Sequence, residues 1–232
     1  MLKQISVIAF DLDDTLWPCM PTIVHAEEKL YKWLELHCPR ITQGFSPLQL
    51  VESRKQFMQR NEQYSIDLSL MRHEFLKFIA AEFQYDSSQV ADSAFEVFYQ
   101  ARQKVTFYQD VLPSLARLSS NYKLGSITNG NANIEKVGLS HLIEHSVSAC
   151  ELKVAKPNKI IYQHLADCFG APLEQVLYVG DHPVFDVIGP QQAGLQAVWI
   201  NRDARDWPEE LEPPKNQIKN LNELEALLLA HH

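Results

Sequence analysis

The sequence of 232 residues contains few cysteines and has no CxxC pair; the four are Cys19, Cys38, Cys150 and Cys168. This spacing suits none of the short zinc motifs and indicates reduced thiols, as in a cytoplasmic protein. Basic residues are also scarce, 21 against 29 acidic ones, so the formal net charge is −8. A protein that binds nucleic acid would carry a basic footprint, and we therefore expect no nucleic-acid partner.

Long apolar runs are absent from the sequence, and none approaches the length that crosses a membrane. The first residues also become acidic too early for a signal peptide. We therefore expect a cytoplasmic protein without a membrane partner. The remaining composition, 46% hydrophobic and 22% charged, is that of an ordinary globular chain long enough for one large or two small domains.

The distribution of apolar residues changes twice along the chain. Residues 5–10 are almost wholly apolar and predict a buried strand, whereas residues 17–105 show helical spacing and predict about four amphipathic helices. From Tyr108 onward strand and helix patterns alternate. The sequence therefore predicts an α/β fold, a doubly wound, Rossmann-like parallel sheet core of residues 1–16 and 106–232, with residues 17–105 inserted as an all-helical domain.

Within the second half, apolar periodicity and the positions of glycine and proline set the expected elements. We predict strands over 123–127, 146–149, 176–179 and 197–200, and helices over 112–118, 134–139, 159–169, 184–193 and 221–229.

Three carboxylates, those of Asp11, Asp13 and Asp14, lie within four residues directly behind the first strand. Like charges this close repel one another, and their burial is costly unless a positive charge neutralises them. A divalent cation such as Mg²⁺, which prefers hard oxygen ligands, would do so. The alternative to a metal site is a solvated acidic turn after an edge strand.

Polar residues also follow three later strands. Residues 126–130 end one strand, Lys156 follows the next, and Asp181 with Asp186 follows the fourth. Ligands of an open parallel sheet bind beyond the carboxyl ends of its strands, so we expect all these groups at one edge. Each segment by itself also has an explanation without a function: residues 126–130 as a turn, Lys156 as a solvated loop lysine, and Asp181 as a helix cap. Their joint occurrence in order favours one chemical site.

The residue types at this edge suit phosphoryl transfer. The carboxylate of Asp11 is the best placed to attack phosphorus, and Asp13 can act as general acid and base. Asp181 would complete the oxygen shell of Mg²⁺, and Asp186 would support this shell without binding the ion directly. The remaining polar groups would hold phosphoryl oxygens: Thr128, the backbone N–H of Asn129, and Lys156.

These segments resemble, in order and spacing, the four motifs of the haloacid dehalogenase superfamily of hydrolases, from Ile5 to about Arg202. They read DLDDTL, SITNG, VAKP and VGDHPVFDV, while SITNGNA and GLQAVWINR look closest to the YigB-like phosphatases. The resemblance implies a helical cap domain inserted after the first strand. It also implies that Asp11 is nucleophile and metal ligand, and that Asp13 is the acid/base and gives its carbonyl to the metal.

For the other positions the resemblance implies phosphate binding by Thr128 and Lys156, a magnesium ligand at Asp181 and orientation of the metal shell by Asp186. Two residues depart from the pattern. Phe185 stands where relatives often carry a polar residue, and Pro190 stands where they often have alanine. Because proline inside a helix removes a hydrogen bond, we expect an altered local geometry there.

Three further residues are candidates for the substrate side. Trp17 would pack at the hinge or against a substrate, and His182 would touch substrate or line its loop. Arg72, on a predicted helix of the insertion, would reach the substrate or be a solvated arginine. The i, i+4 pair His141 and His145 lacks a third ligand nearby, so we interpret both as surface histidines.

The leading functional hypothesis is a Mg²⁺-dependent phosphomonoester hydrolase that acts on a small phosphorylated metabolite through an aspartyl-phosphate. A dehalogenase would not need Asp13, because no leaving oxygen needs a proton. A phosphomutase would share Asp11 and Asp13 and stays an alternative. A non-catalytic phosphometabolite-binding protein is a further alternative, against which the intact set of polar residues argues.

Overall fold

The structure is a computed structural model that describes residues 4–229. It divides into two compact units, one of Met1–Pro18 with Thr106–His232 and the other of Cys19–Val105. The observed boundary follows Pro18, two residues beyond the one predicted after residue 16. The reason is that Trp17 packs within the first unit, edge-on against Phe107 at 5.6 Å between ring centroids.

The first unit opens with strand β1 (Val7–Phe10), which is buried along its whole length. The chain then forms the second unit, which is helical throughout. Its helices are α1 (Cys19–His37), α2 (Pro39–Gly44), α3 (Pro47–Arg60), α4 (Leu68–Glu82) and α5 (Ser87–Arg102), with a 3₁₀ turn at Glu62–Tyr64. About four helices were predicted for this stretch, and the structure has four long ones and, in addition, the short α2.

Polar caps fix the start of three of these helices. Ser46 and Gln49 form a reciprocal capping box at α3, while Asp67 and Asp86 accept backbone N–H groups at the starts of α4 and α5. Apolar side chains of α1, α4 and α5 pack together as the centre of the unit, among them Leu30, Leu34, Phe75, Ile79, Ala94 and Phe98.

The chain returns to the first unit and alternates strands with helices. The elements are α6 (Val111–Leu118), β2 (Lys123–Thr128), β3 (His145–Ser148), α7 (Ala149–Leu152), α8 (Lys159–Phe169), β4 (Val176–Gly180), α9 (Gly189–Ala193), β5 (Gln196–Ile200), β6 (Gln217–Ile218) and α10 (Leu221–Leu229).

The strands form one parallel sheet in the order β3-β2-β1-β4-β5-β6, with helices on both sides. This confirms the predicted doubly wound, Rossmann-like core. Phe10, the last residue of β1, lies opposite Ser126 of β2 and Val179 of β4. The strand order reverses at β1, so the carboxyl ends of β1 and β4 flank the position where such sheets bind ligands.

Two of the predicted elements differ in the structure, and one short helix was not predicted. The helix expected over 134–139 is a single turn, because Gly138 adopts a left-handed φ of +86° and ends it. The helix expected over 184–193 is a π-helical turn at Pro183–Ile188 followed by α9, and Pro190 is the second residue of α9. There its missing N–H costs little. Sequence patterns did not predict α7, a single turn capped by Ser148.

Among residues 4–229, no helix is both long enough and apolar enough to cross a membrane.

Candidate active site

The end of β1 fixes the first carboxylate of the site. The N–H of Asp11 donates to the carbonyl of Val179 at 2.9 Å, so the ladder with β4 continues one residue past the strand. Asp11 is only 7% exposed. The side chain is therefore held at the sheet edge by regular pairing rather than by a mobile loop.

Three carboxylates converge at this edge. Each of Asp11, Asp181 and Asp186 offers an oxygen, and these oxygens lie within 4.8 Å of one another. A set of hard oxygen donors that repel one another fits a cation such as Mg²⁺. The side chain of Asp13 lies outside this set, since its Oδ1 accepts a hydrogen bond from Nε1 of Trp17 at 2.8 Å.

A buried ammonium joins the carboxylates. Nζ of Lys156 donates to Oδ1 of Asp11 and to Oδ1 of Asp186, both at 2.7 Å, and to the hydroxyl of Tyr178 at 3.1 Å. Burial alone would lower the pKa of Lys156, but Asp11 and Asp186 outweigh it and raise the pKa above its ordinary value. Burial raises the pKa of Asp11, and the ammonium opposes that rise. Lys156 thus stays charged beside Asp11.

The loop that carries Lys156 is clamped by Asn129. The amide Nδ2 of Asn129 donates to the carbonyl of Lys156 at 3.1 Å, and its Oδ1 accepts the N–H of Lys156 at 2.8 Å. The amide of Asn129 therefore positions the lysine. Oγ1 of the buried Thr128 accepts the N–H of Gly130 at 2.9 Å, and its O–H remains a donor.

Gly180 makes room for Asp186. A Cβ at residue 180 would lie 2.6 Å from Oδ2 of Asp186, a distance that real side chains do not show. Asp186 is 1% exposed and uses both oxygens, Oδ1 toward Lys156 and Oδ2 toward the N–H of His182 at 2.9 Å. It is thus rigidly oriented within the carboxylate set.

Asp181 has two partners, Trp199 on β5 and Arg205 in the loop that follows β5. Nη2 of Arg205 donates to Oδ2 of Asp181 at 2.8 Å, and Nε1 of Trp199 donates to its carbonyl at 2.7 Å. Burial raises the pKa of Asp181 to about 6, although the hydrogen bond from Arg205 opposes the rise. Neither partner was predicted, because the sequence pattern gives no signal for Arg205 and marks Trp199 as a strand residue.

Two of the predicted substrate-side residues have structural partners in the first unit. Trp17 is fully buried and holds Asp13, as described above. His182 is exposed, and its Nδ1 accepts the N–H groups of Val184 and Phe185 at 3.2 Å, so it caps the π-helical turn. Although the residue as a whole is exposed, partial desolvation of the ring lowers the pKa of His182, which favours the neutral imidazole whose Nδ1 accepts these bonds.

Arg72 lies in the second unit and is not a solvated arginine; that alternative was wrong. It is 5% exposed, its Nη2 donates to Oε1 of Glu27 at 2.9 Å, and its guanidinium lies 3.3 Å from the ring centroid of Phe98. His141 and His145 are exposed at the surface, where they were placed from the sequence.

The fold and the carboxylate site define a hydrolase family. The sequence model of the haloacid dehalogenase-like hydrolases matches residues 5–194, which is most of the chain. The protein therefore belongs to this family, as its four motifs indicated.

The names of individual relatives state different activities. The chain is 28% identical to 5-amino-6-(5-phospho-D-ribitylamino)uracil phosphatase YigB of Escherichia coli K12, over 98% of both proteins. It is 37% identical to pyrimidine 5'-nucleotidase YjjG of the same organism, over 50% of this chain and 54% of YjjG. A crystal structure described as a 2-haloacid dehalogenase from Pseudomonas syringae pv. Tomato DC3000 is 33% identical, covers 99% of this chain and 100% of that one, and has a TM-score of 0.90.

Proposed function

We propose that this hydrolase is a Mg²⁺-dependent phosphomonoesterase that acts through an aspartyl-phosphate on Asp11. One observation carries the proposal: a second carboxylate, Asp13, is held by Trp17 apart from the three-carboxylate set. A phosphate ester releases an oxygen that needs a proton, and Asp13 would supply it. Similarity to YigB over 98% of both chains supports the same activity.

The carboxylate set would hold the metal. Asp11, Asp181 and Asp186 are the side chains that fit Mg²⁺, together with the backbone carbonyl of Asp13 that the family resemblance implies. When bound, the ion would supply positive charge that offsets the carboxylates and the phosphoryl oxygens.

The residues of the chain divide the reaction into two steps. In the first, a carboxylate oxygen of Asp11 bonds to phosphorus, the ester P–O bond breaks, and Asp13 gives its proton to the leaving oxygen. In the second, water attacks phosphorus and passes a proton to Asp13, which releases phosphate and restores Asp11. Lys156, which contacts Asp11 at 2.7 Å, and Thr128 would hold the phosphoryl oxygens throughout.

Dehalogenation is the second candidate, because the similar structure from Pseudomonas syringae bears that description. A halide leaves as a stable anion and needs no general acid, so Asp13 would have no catalytic role in dehalogenation. A phosphomutase would use Asp11 and Asp13 alike, and a phosphometabolite-binding protein would turn over neither ester nor halide. The substrate we propose is a small phosphorylated metabolite.

A direct comparison separates these candidates. The purified protein is incubated with 4-nitrophenyl phosphate and a panel of phosphorylated metabolites, with and without Mg²⁺, and in parallel with 2-chloropropionate. We expect phosphate release that requires Mg²⁺, no chloride release, and loss of several orders of magnitude in Asp11→Asn. Chloride release without phosphate release would instead establish the dehalogenase, and isomerised sugar phosphates would establish the mutase.

A further inference from the structure

The turn that carries Asp13 is anchored by an arginine that follows β5. Nε of Arg202 donates to the carbonyl of Thr15 at 2.9 Å. Thr15 is fully buried, and its Oγ1 has no hydrogen-bond partner among residues 4–229. The side chain of Thr15 therefore makes no polar contact there, and the turn is anchored at this residue through its backbone carbonyl.

A carboxylate fixes the orientation of the Arg202 guanidinium. Nη1 and Nη2 donate to Oδ1 and Oδ2 of Asp110, the residue before α6, at 3.0 and 3.1 Å. Oδ2 of Asp110 also accepts the N–H of Leu221, the first residue of α10, at 2.7 Å. Burial would raise the pKa of Asp110, but the hydrogen bonds from Arg202 and Leu221 outweigh it and hold the pKa below its ordinary value. The pair is thus ionised and bidentate, the geometry that orients an arginine most strictly.

The same guanidinium contacts the chain where it returns from the second unit. Cζ of Arg202 lies 4.0 Å from the ring centroid of Tyr108, and the N–H of Tyr108 donates to the carbonyl of Leu16 at 3.1 Å. The side chains of Arg202 and Asp110 are only 9% and 11% exposed. This pair, which we call the arginine clamp, thus joins the residues just before the chain leaves the first unit to those just after it returns.

The anchored turn has a backbone conformation that needs support. Asp14, between Asp13 and Thr15, adopts a left-handed φ of +59°, and its N–H donates to the carbonyl of Trp17 at 2.7 Å. Conformations of this kind persist only where the surrounding contacts hold them. Trp17 supplies one such contact at Asp13, and the arginine clamp supplies another at Thr15. Loss of either contact is therefore expected to displace Asp13.

We propose that Arg202 is a positioning residue for the reaction: by holding the carbonyl of Thr15, it keeps the carboxyl group of Asp13 where it can protonate the leaving oxygen. The role of Asp13 as the acid rests on the proposed phosphatase function, whereas the effect of the clamp on the turn does not. Arg202 touches no reacting atom and acts through Asp13. The proposal gives a role to the last residue of the stretch GLQAVWINR, which the reaction itself does not use.

The first experiment compares two esters that differ in the basicity of the leaving group. Nitrophenolate leaves 4-nitrophenyl phosphate readily, whereas phenolate leaves phenyl phosphate only with help from an acid. Arg202→Lys keeps a positive charge near Asp110 but loses the donor to Thr15. We expect kcat/KM for phenyl phosphate to fall roughly tenfold to a hundredfold, and that for 4-nitrophenyl phosphate by less than about threefold. If Arg202→Lys does not fold, Asp110→Asn removes the charge that orients Arg202 and should give the same pattern.

Two further variants control this comparison. Arg117→Lys alters another bidentate pair between α6 and α10, since Arg117 donates to both carboxylate oxygens of Glu225 at 2.7 Å, and it should leave both esters unchanged. Asp13→Asn already lacks the acid, so the addition of Arg202→Lys should cause no further loss with phenyl phosphate. A merely structural role of Arg202 would instead lower the rates with both esters alike and add to the effect of Asp13→Asn.

The second experiment observes the turn without catalysis or metal. Tryptophan is labelled with ¹⁵N, and the indole N–H resonance of Trp17 is assigned by its absence from Trp17→Phe. This group donates to Oδ1 of Asp13, so its proton shift reports that hydrogen bond. In Arg202→Lys we expect the Trp17 resonance to move upfield as the bond weakens, and the resonance of Trp33 in the second unit to stay in place. Arg117→Lys should move neither.

The outcomes are distinct. An unmoved Trp17 resonance in a folded Arg202→Lys sample overturns the clamp, whatever the enzyme hydrolyses. A moved resonance with equal losses for the two esters overturns the positioning role and leaves Arg202 with a structural one. Absence of any phosphatase activity would refute the proposed function but leave the resonance result standing.

Discussion

Trp17 holds Asp13 through three features of the backbone and side chain. Its indole Nε1 donates to Oδ1 of Asp13 at 2.8 Å, an isolated β-bridge joins the two residues, and the carbonyl of Trp17 accepts the N–H of Asp14 at 2.7 Å. The indole is fully buried. The turn after β1 thus folds back on itself and holds Asp13 in one orientation.

Asp13→Asn should separate the two half-reactions. The variant keeps the shape but cannot carry a proton, and general acid/base catalysis typically contributes ~10²–10⁴-fold, so we expect a steady-state loss in that range. Phosphorylation of the enzyme by 4-nitrophenyl phosphate should suffer less than its hydrolysis, since nitrophenolate needs no proton. Rapid-quench measurement of the aspartyl-phosphate tests this, with Asp14→Asn as the neighbouring control. Equal loss for good and poor leaving groups would contradict the role.

Trp17→Phe should weaken the same function without removing it. The ring still fills the core, but the hydrogen bond to Asp13 is lost. A hydrogen bond to a charged group contributes about 1.5–3 kcal/mol, so kcat for an alkyl phosphate should fall roughly tenfold to a hundredfold. KM should change little. If kcat is unchanged while the melting temperature falls, Trp17 supports only the fold.

The sequence could predict that the carboxylates of the active site lie together, because each of them follows the end of a strand. Asp11, Asp181 and Asp186 each follow a strand that the sequence marks by an apolar run, and parallel strands bring their carboxyl ends to one edge. Lys156 follows the same rule. The predicted chemical roles of these residues remain predictions, since position alone does not establish catalysis.

Partners that depend on tertiary packing were not predictable. Arg205 lies in a loop without periodicity, yet it meets Asp181 because Asn201 bonds both the N–H and the carbonyl of its backbone. Arg72 follows helical spacing, but its pairing with Glu27 joins residues 45 positions apart. A helix with an altered geometry at Pro190 was expected after Asp181, but the π-helical turn at Pro183–Ile188 emerged only from the structure.

Gly180→Ala should displace Asp186. The new Cβ would lie within 2.6 Å of Oδ2 of Asp186, and crowding of this kind costs about 1–3 kcal/mol of stability. Because Asp186 also holds Lys156, we expect hydrolysis to fall at least as far as in Asp186→Asn. Chemical denaturation and steady-state kinetics measure the two effects. Wild-type activity in Gly180→Ala would show that the orientation of Asp186 is unimportant.

Arg205→Gln should strengthen Mg²⁺ binding. The guanidinium donates to Oδ2 of Asp181 at 2.8 Å and offsets its negative charge. Because 47% of the Arg205 side chain is exposed, solvent screens its charge, and we expect a gain in affinity of only roughly threefold to tenfold. Calorimetric titration with Mg²⁺ measures it. Arg205→Lys keeps the charge and should bind Mg²⁺ as wild type does; a weaker site in Arg205→Gln would mean that the arginine orients Asp181 for the metal.

Mg²⁺ should raise the melting temperature, and this rise should depend on pH through Asp181. A ligand that binds only the folded state stabilises it by mass action. In the metal-free protein, burial raises the pKa of Asp181 from 3.8 to about 6, so the folded state takes up a proton that the unfolded state lacks between these values. Burial of the charged carboxylate therefore destabilises the metal-free protein above pH 6, and this penalty disappears as the pH falls toward 4.

Because Mg²⁺ requires the ionised carboxylate of Asp181, the rise in melting temperature that Mg²⁺ causes should shrink from pH 7 to pH 5. EDTA should abolish the effect in wild type at pH 7, and Asp181→Ala should show none at either pH. A rise of equal size at pH 5 and pH 7, or one that persists in Asp181→Ala, would place the metal elsewhere.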